Sequence, residues 1–168
     1  MSQQTQAVWS TRGIALLRMT LGVIVLATWW DNLQKGIYTA QGITDLFTHP
    51  DWGAFSHGGG ALFGYRTLVE STILQVPGLF AGFQLVAEFL MGLGLLVGGL
   101  TPLVGAGATF FFFNLFLTYF GNSNEWIWTY VLLTMAALAV TLSLAGRKWG
   151  VDQLLLQKRG QPKLPFLW

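Results

Sequence analysis

Residues 79–100 read LFAGFQLVAEFLMGLGLLVGGL, with Glu88 as the one charge in the stretch. About 20 apolar residues in a helix cross the ~30 Å hydrocarbon core of a bilayer. An ionisable side chain near the middle of such a helix costs roughly 2.5–3.5 kcal/mol on insertion scales. It is expected to face a bundle interior, to have a partner, and to mark a site. The fold follows from what surrounds this helix, and the function from what Glu88 faces.

Three further runs approach spanning length: 13–30, 103–120 and 126–145. The first contains Arg18; the other two carry no charge. The 168 residues are 53% hydrophobic and 10% charged, with mean hydropathy +0.54, whereas a soluble domain is about 25% charged. The expected fold is an all-α membrane protein, with one four-helix transmembrane bundle accounting for residues 1–168. Residues 1–12 are polar and expected to be disordered or interfacial. The first run ends in Trp29-Trp30-Asp31, aromatic anchors rather than a small-residue cleavage site, so it reads as a retained span.

The net charge of +2 conceals an asymmetry. Arg12, Arg147, Lys148, Lys158, Arg159 and Lys163 lie on the terminal side, with Asp152 as the only acid there. The opposite loops hold Asp31, Asp45, Asp51, Glu70 and Glu125 against Lys35 and Arg66. The positive-inside rule then puts both termini in the cytoplasm, with 146–168 as a basic tail. The pI of 9.2 is a topology signal and not one for nucleic acid. With no cysteine, disulfides, thiol catalysis and Cys-ligated iron–sulfur or zinc centres are excluded within the chain.

The long connection 31–77 needs structure of its own, and short amphipathic helices are expected over 36–47 and 61–75. His49-Pro50-Asp51-Trp52 and Ser56-His57-Gly58-Gly59-Gly60 read as turns. Thr101 as cap and Pro102 in the first helical turn start the third span after a tight turn. Residues 151–157 should form an interfacial turn, and 164–168 an apolar end that needs lipid or a partner. Glycine recurs at Gly92, Gly94, Gly98, Gly105 and Gly107, for packing within the bundle or docking on another subunit.

Each span carries a polar or small stripe at helical spacing. The stripes are Gln84, Glu88 and Gly92; Gly107, Asn114 and Thr118; Tyr130 and Thr134; and Arg18 with Gly22. At a rise of about 1.5 Å per residue, Glu88 is roughly 15 Å from either end of its helix. Gln84, Asn114, Thr118, Tyr130 and Thr134 then lie in the outer half and Arg18 in the inner half. This ordering predicts an outward-facing polar pocket with Glu88 at its floor. Glu88 is either a structural interhelical hydrogen-bonder or a group that serves a ligand by donating to a carbonyl or delivering a proton. Arg18 is the obvious intramembrane cation to pair with it, or else snorkels to the headgroups. His49 and His57 lie in the outer connection with no histidine on any span, so a bis-His membrane haem is excluded. Gly58-Gly59-Gly60 lacks the strand–helix setting of a phosphate loop.

Taken together, Arg18-x3-Gly22, Trp30, Lys35, Glu88-x3-Gly92-x-Gly94, Gly98, Thr101 and the run from Gly146 to Asp152 resemble the DoxX/DoxD family of small four-span membrane proteins. Pro50, Trp52 and the segment 65–77 resemble its DoxD branch, which includes the small membrane subunit of thiosulfate:quinone oxidoreductase. The resemblance implies an electron-transfer complex, a second subunit and a quinone acceptor. Glu88 and Arg18 would be its catalytic residues. Gln84, Asn114, Thr118, Tyr130, Thr134 and Lys35 would form the quinone pocket or its rim. The alternative is a non-catalytic subunit that assembles a larger respiratory or photosynthetic complex through its glycine faces and apolar tail, among lipids and other membrane subunits. A transporter would call for internal repeats or broken helices, which this pattern does not offer.

Overall fold

The computed structural model describes residues 3–160, with side chains from Arg12 to Lys158. Among the described residues there are seven α-helices and no strand: α1 (Gln3–Gln34), α2 (Ala40–Thr48), α3 (Tyr65–Ser71), α4 (Pro77–Val97), α5 (Thr101–Tyr119), α6 (Trp128–Leu142) and α7 (Val151–Arg159). Three segments are long and apolar enough to cross a membrane: Arg12–Gln34 of α1, α4 and α5. The chain is thus an integral membrane protein by the length and composition of its helices. α6 is apolar but has 15 residues, about 22 Å of helix.

Several boundaries differ from the sequence expectation. The first segment is helical from Gln3, which departs from the disordered alternative for residues 1–12 and leaves the interfacial one. α1 also runs past Trp29-Trp30 to Gln34, because Trp29 is not a free interfacial anchor. Its indole N–H donates to the Leu85 carbonyl at 2.9 Å and its ring lies 5.0 Å from that of Phe89, so the tryptophan packs within the α1–α4 pair. Of the helices expected in the connection, 36–47 becomes α2, and 61–75 becomes α3 followed by a 3-10 turn, Ile73–Gln75. The turn expected over 151–157 is a full helix, α7. The apolar end 164–168 lies outside the described residues.

The bundle is built from two antiparallel pairs. In the first, Gly22 of α1 lies against the Leu96 backbone of α4, and Gly92 of α4 lies against Val25 and Leu26 of α1. In the second, Gly105 of α5 lies against Thr141 of α6, and Tyr119 stacks on Tyr130 at 5.0 Å. Small residues at these crossings let backbones approach and accumulate dispersion. The pairs meet at the end where α4 turns into α5, and one cluster with Leu21, Leu95, Ala108 and Ala137 ties them there. At the other end α2 and α3 form a cap with its own core of Ile43, Phe47, Phe55, Tyr65, Val69 and Ala81. Thr39 starts α2 by accepting the Gly42 N–H at 3.0 Å, which sets Ile43 and Phe47 facing inward.

Where the pairs meet, the tail folds back into the bundle. Asp152 is fully buried and accepts the backbone N–H groups of Leu100 at 2.7 Å and Thr101 at 2.8 Å. The cap of α5 therefore comes from Asp152, and not from Thr101 as expected. Thr101 occupies the first turn, with its hydroxyl buried and unpaired.

Candidate functional site

A cavity of roughly 770 Å³ separates the two helix pairs beneath the cap. Its walls are largely apolar, with one polar group set around Glu88 and another around Asn114. The Glu88 carboxyl is 3% exposed. Tyr38 O–H donates to its Oε2 at 2.6 Å, and the Gln84 amide N–H donates to its Oε1. Asn32 is within hydrogen-bonding reach of both Glu88 and Tyr38. Gln84 reaches Glu88 because residues four apart share one helix face. Asn32 comes from the last turn of α1, and Tyr38 from the turn that follows it. Because Tyr38 lies in that turn and is half-buried, desolvation first, and then the Glu88 bond and charge, push its hydroxyl well above the usual tyrosine range. It stays a phenol and keeps its proton to share.

Tyr65 of α3 is buried and donates to Asn114 Oδ1 of α5 at 3.1 Å; burial raises its pKa too. Asn114 uses its amide N–H on the Phe110 carbonyl at 2.7 Å. Tyr130 donates to Glu125 at 3.2 Å. All four tyrosines of the chain thus collect at the capped end, where Tyr65, Tyr119 and Tyr130 line the cavity and Tyr38 binds Glu88.

The structure brings Gln84, Glu88, Asn114, Thr118 and Tyr130 to this one cavity, as their helical spacing suggested. It corrects three other expectations. Glu88 lies in the wall, not at the floor, which is made by apolar Val25, Met91 and Val104. Thr134 faces a separate groove between α5 and α6 and spends its hydroxyl on the Tyr130 carbonyl at 2.7 Å. Lys35 is exposed and pairs with Asp31 at 2.6 Å, one helical turn away on the surface rather than on the rim.

Arg18 does not meet Glu88. Fourteen residues of α1 separate it from Asn32, about 21 Å of helix. Its guanidinium is fully buried at the opposite end. There Nη2 donates to the Trp149 carbonyl at 3.1 Å, within the electrostatic reach of Asp152. Gly98, at φ +68°, and Gly150 leave room for it, since a Cβ on either would run into Nη1. Arg18 thus clamps the returning tail against α1 and α4.

Asn32, Tyr38 and Tyr65 were not expected at the site. Asn32 and Tyr38 lie past the aromatic pair read as the span boundary, and Tyr65 sits on the cap. Only the helix continuing to Gln34 and the fold of the connection bring them in. His49 and His57 remain on the cap, where the His49 ring stacks on Trp52 at 4.8 Å and His57 Nε2 is 2.7 Å from the Asp51 carbonyl. Among the described residues there is no cluster of three or more His, Asp or Glu side chains able to hold a metal.

Chemically, the site offers a proton-bearing pair beside an apolar space of ligand size. A tyrosine hydroxyl both donates and accepts, so Tyr38 can stay hydrogen-bonded to Glu88 whether the acid is a carboxylate or carries a proton. No protein-family model, curated protein or solved structure matches the chain.

Proposed function

We propose that the chain is a quinone-interacting subunit of a membrane electron-transfer complex, as its resemblance to the DoxX/DoxD family implies. In this reading α6, with the turns at its ends, is the fourth span. The cap is extracytoplasmic, and both termini face the cytoplasm of a prokaryotic membrane. The observation that supports it best is the buried Glu88, hydrogen-bonded by Gln84 and Tyr38 in the wall of a largely apolar cavity. Pockets of about 300–1,000 Å³ with apolar walls and a few convergent polar groups suit a small lipophile. A flat ring with a carbonyl oxygen at one edge fits that pattern.

Glu88 and Tyr38 hold and pass protons, Gln84 orients the carboxyl, and the walls exclude water. The two electrons that turn a quinone into a quinol come from a redox centre on a partner subunit. Arg18 belongs to the support of the bundle, and Glu88 carries the chemistry.

The test is the purified protein in mild detergent, analysed for co-purifying quinone and assayed for quinone reduction with its partner. Glu88→Gln keeps the shape of the carboxyl and removes its proton chemistry. Quinone content should fall and turnover should drop by about 10²-fold or more, the usual scale of a general acid. Normal content and turnover in that variant would sink the reading.

A further inference from the structure

The cavity is not closed on all sides, and its most exposed lining residues share one gap. Gly94 of α4 lies tight against Val104 of α5, close enough that a Cβ would fall 2.8 Å from the valine methyl. One turn along α5, Gly107 has nothing within 4 Å of where its Cβ would be. Gly107 is therefore not there for close packing; it borders open space where α4 and α5 have parted.

The helical register names the two edges of that space. Phe83, Ala87 and Leu90 recur along one side of α4, and Gly107, Phe110 and Asn114 along the facing side of α5. All six line the cavity. Yet Phe83 is 65% exposed, Leu90 57% and Phe110 70%. Residues that line an internal space and face outward as well mark its mouth. On α1, Ile24 and Thr28 also line the cavity and face outward, Ile24 at 38% exposure, below the values on α4 and α5; the paired seams and the cap are closed. Gly22 on Leu96 closes the α1–α4 seam and Gly105 on Thr141 the α5–α6 seam, while Ile43, Phe47 and Tyr65 roof the capped end with no more than 8% exposure.

We infer that the cavity is entered from within the bilayer, through a slot between α4 and α5 whose threshold is Gly107. The ligand class is a single-tailed lipophile: its head reaches Glu88 while its tail lies over Gly107 between Leu90 and Phe110. The identity of the head rests on the quinone reading above, whereas the route rests on the shape of the cavity.

The chain has no cysteine, so a single introduced thiol reports access without background. Met91→Cys places it on the cavity floor, and the protein is reconstituted into lipid vesicles. A bilayer-partitioning maleimide should modify it, while a sulfonated, membrane-impermeant maleimide should react at least tenfold more slowly. Adding Gly107→Phe should slow the bilayer reagent at least tenfold, whereas Gly107→Ala, which fits the open space, should leave it near the starting rate. Gly82→Phe, at an α4 glycine with equally open surroundings but outside the slot, should also have no effect and shows that a phenylalanine on the lipid face is tolerated. Comparable reaction with the sulfonated reagent overturns the route, as does an undiminished rate in Gly107→Phe. Reaction with neither reagent in the folded protein overturns it too. No quinone takes part in the labelling, so a Glu88→Gln protein that labels normally but lacks quinone separates route from occupant.

Discussion

Both Glu88 oxygens accept hydrogen bonds from neutral donors, and only one of the two donors is an evident companion from sequence. Gln84 was legible because it stands one helical turn before Glu88 on the same polar stripe. Tyr38 was not, since a tyrosine in a connection just beyond a span reads as an interfacial aromatic. Removing its hydroxyl strands Oε2 in a buried site, and a buried polar atom without a partner costs about 1–3 kcal/mol. Tyr38→Phe should therefore lower the melting temperature, followed by tryptophan fluorescence in detergent. It should also weaken quinone retention by about tenfold, since 1.4 kcal/mol is a factor of ten. If retention falls without any loss of thermal stability, the hydroxyl serves the ligand directly rather than through Glu88. Arg18 was open between pairing inward and snorkelling to the headgroups; the fold buries it with a partner that neither alternative named. Side chains on a helix lean toward its N-terminus, and from Arg18 that direction leads away from Glu88 to the Trp149 carbonyl.

At the scale of the element, the start of α5 shows how a remote residue can decide a helix boundary. Thr101-Pro102 signals a helix start correctly, and α5 begins there. The cap itself arrives from α7, because Asp152 takes the first two N–H groups and its charge complements the positive end of the helix. This also holds Leu100 at φ +50°, a left-handed conformation that costs a non-glycine residue roughly 1–2 kcal/mol. Asp152 was visible in sequence as the lone acid of a basic tail, but no local pattern says which helix it caps. Asp152→Ala leaves two N–H groups unsatisfied and Arg18 without its nearby charge. The expected loss is about 1–3 kcal/mol for each stranded N–H, read by unfolding in mixed detergent. A loss below about 1 kcal/mol would mean that the returning tail contributes little to the fold.

At the scale of the molecule, hydropathy picked out the three helices of spanning length and the shorter apolar α6, and helical spacing picked out several polar residues of the cavity wall. What hydropathy could not show is which helices pair closely and which part. Gly22 and Gly82 look alike in sequence, each a glycine in an apolar helix. In the fold, a Cβ at Gly22 would fall 2.6 Å from the Leu96 backbone nitrogen, while one at Gly82 meets nothing. Gly22→Ala should therefore destabilise by about 1–3 kcal/mol, the scale of overpacking, and Gly82→Ala should be near neutral in the same unfolding assay. Equal effects would show that the α1–α4 seam is not held by close approach. The slot between α4 and α5 has one more consequence. In a bilayer, a space of roughly 770 Å³ with a mouth on the lipid side fills with acyl chain. Lipid tails are as apolar as leucine, so a lipophile that enters swaps one hydrocarbon neighbour for another. Its tail gains little by the exchange, and discrimination falls to the few hydrogen bonds at Glu88. Occupancy then follows the ratio of ligand to lipid in the membrane rather than its concentration in water.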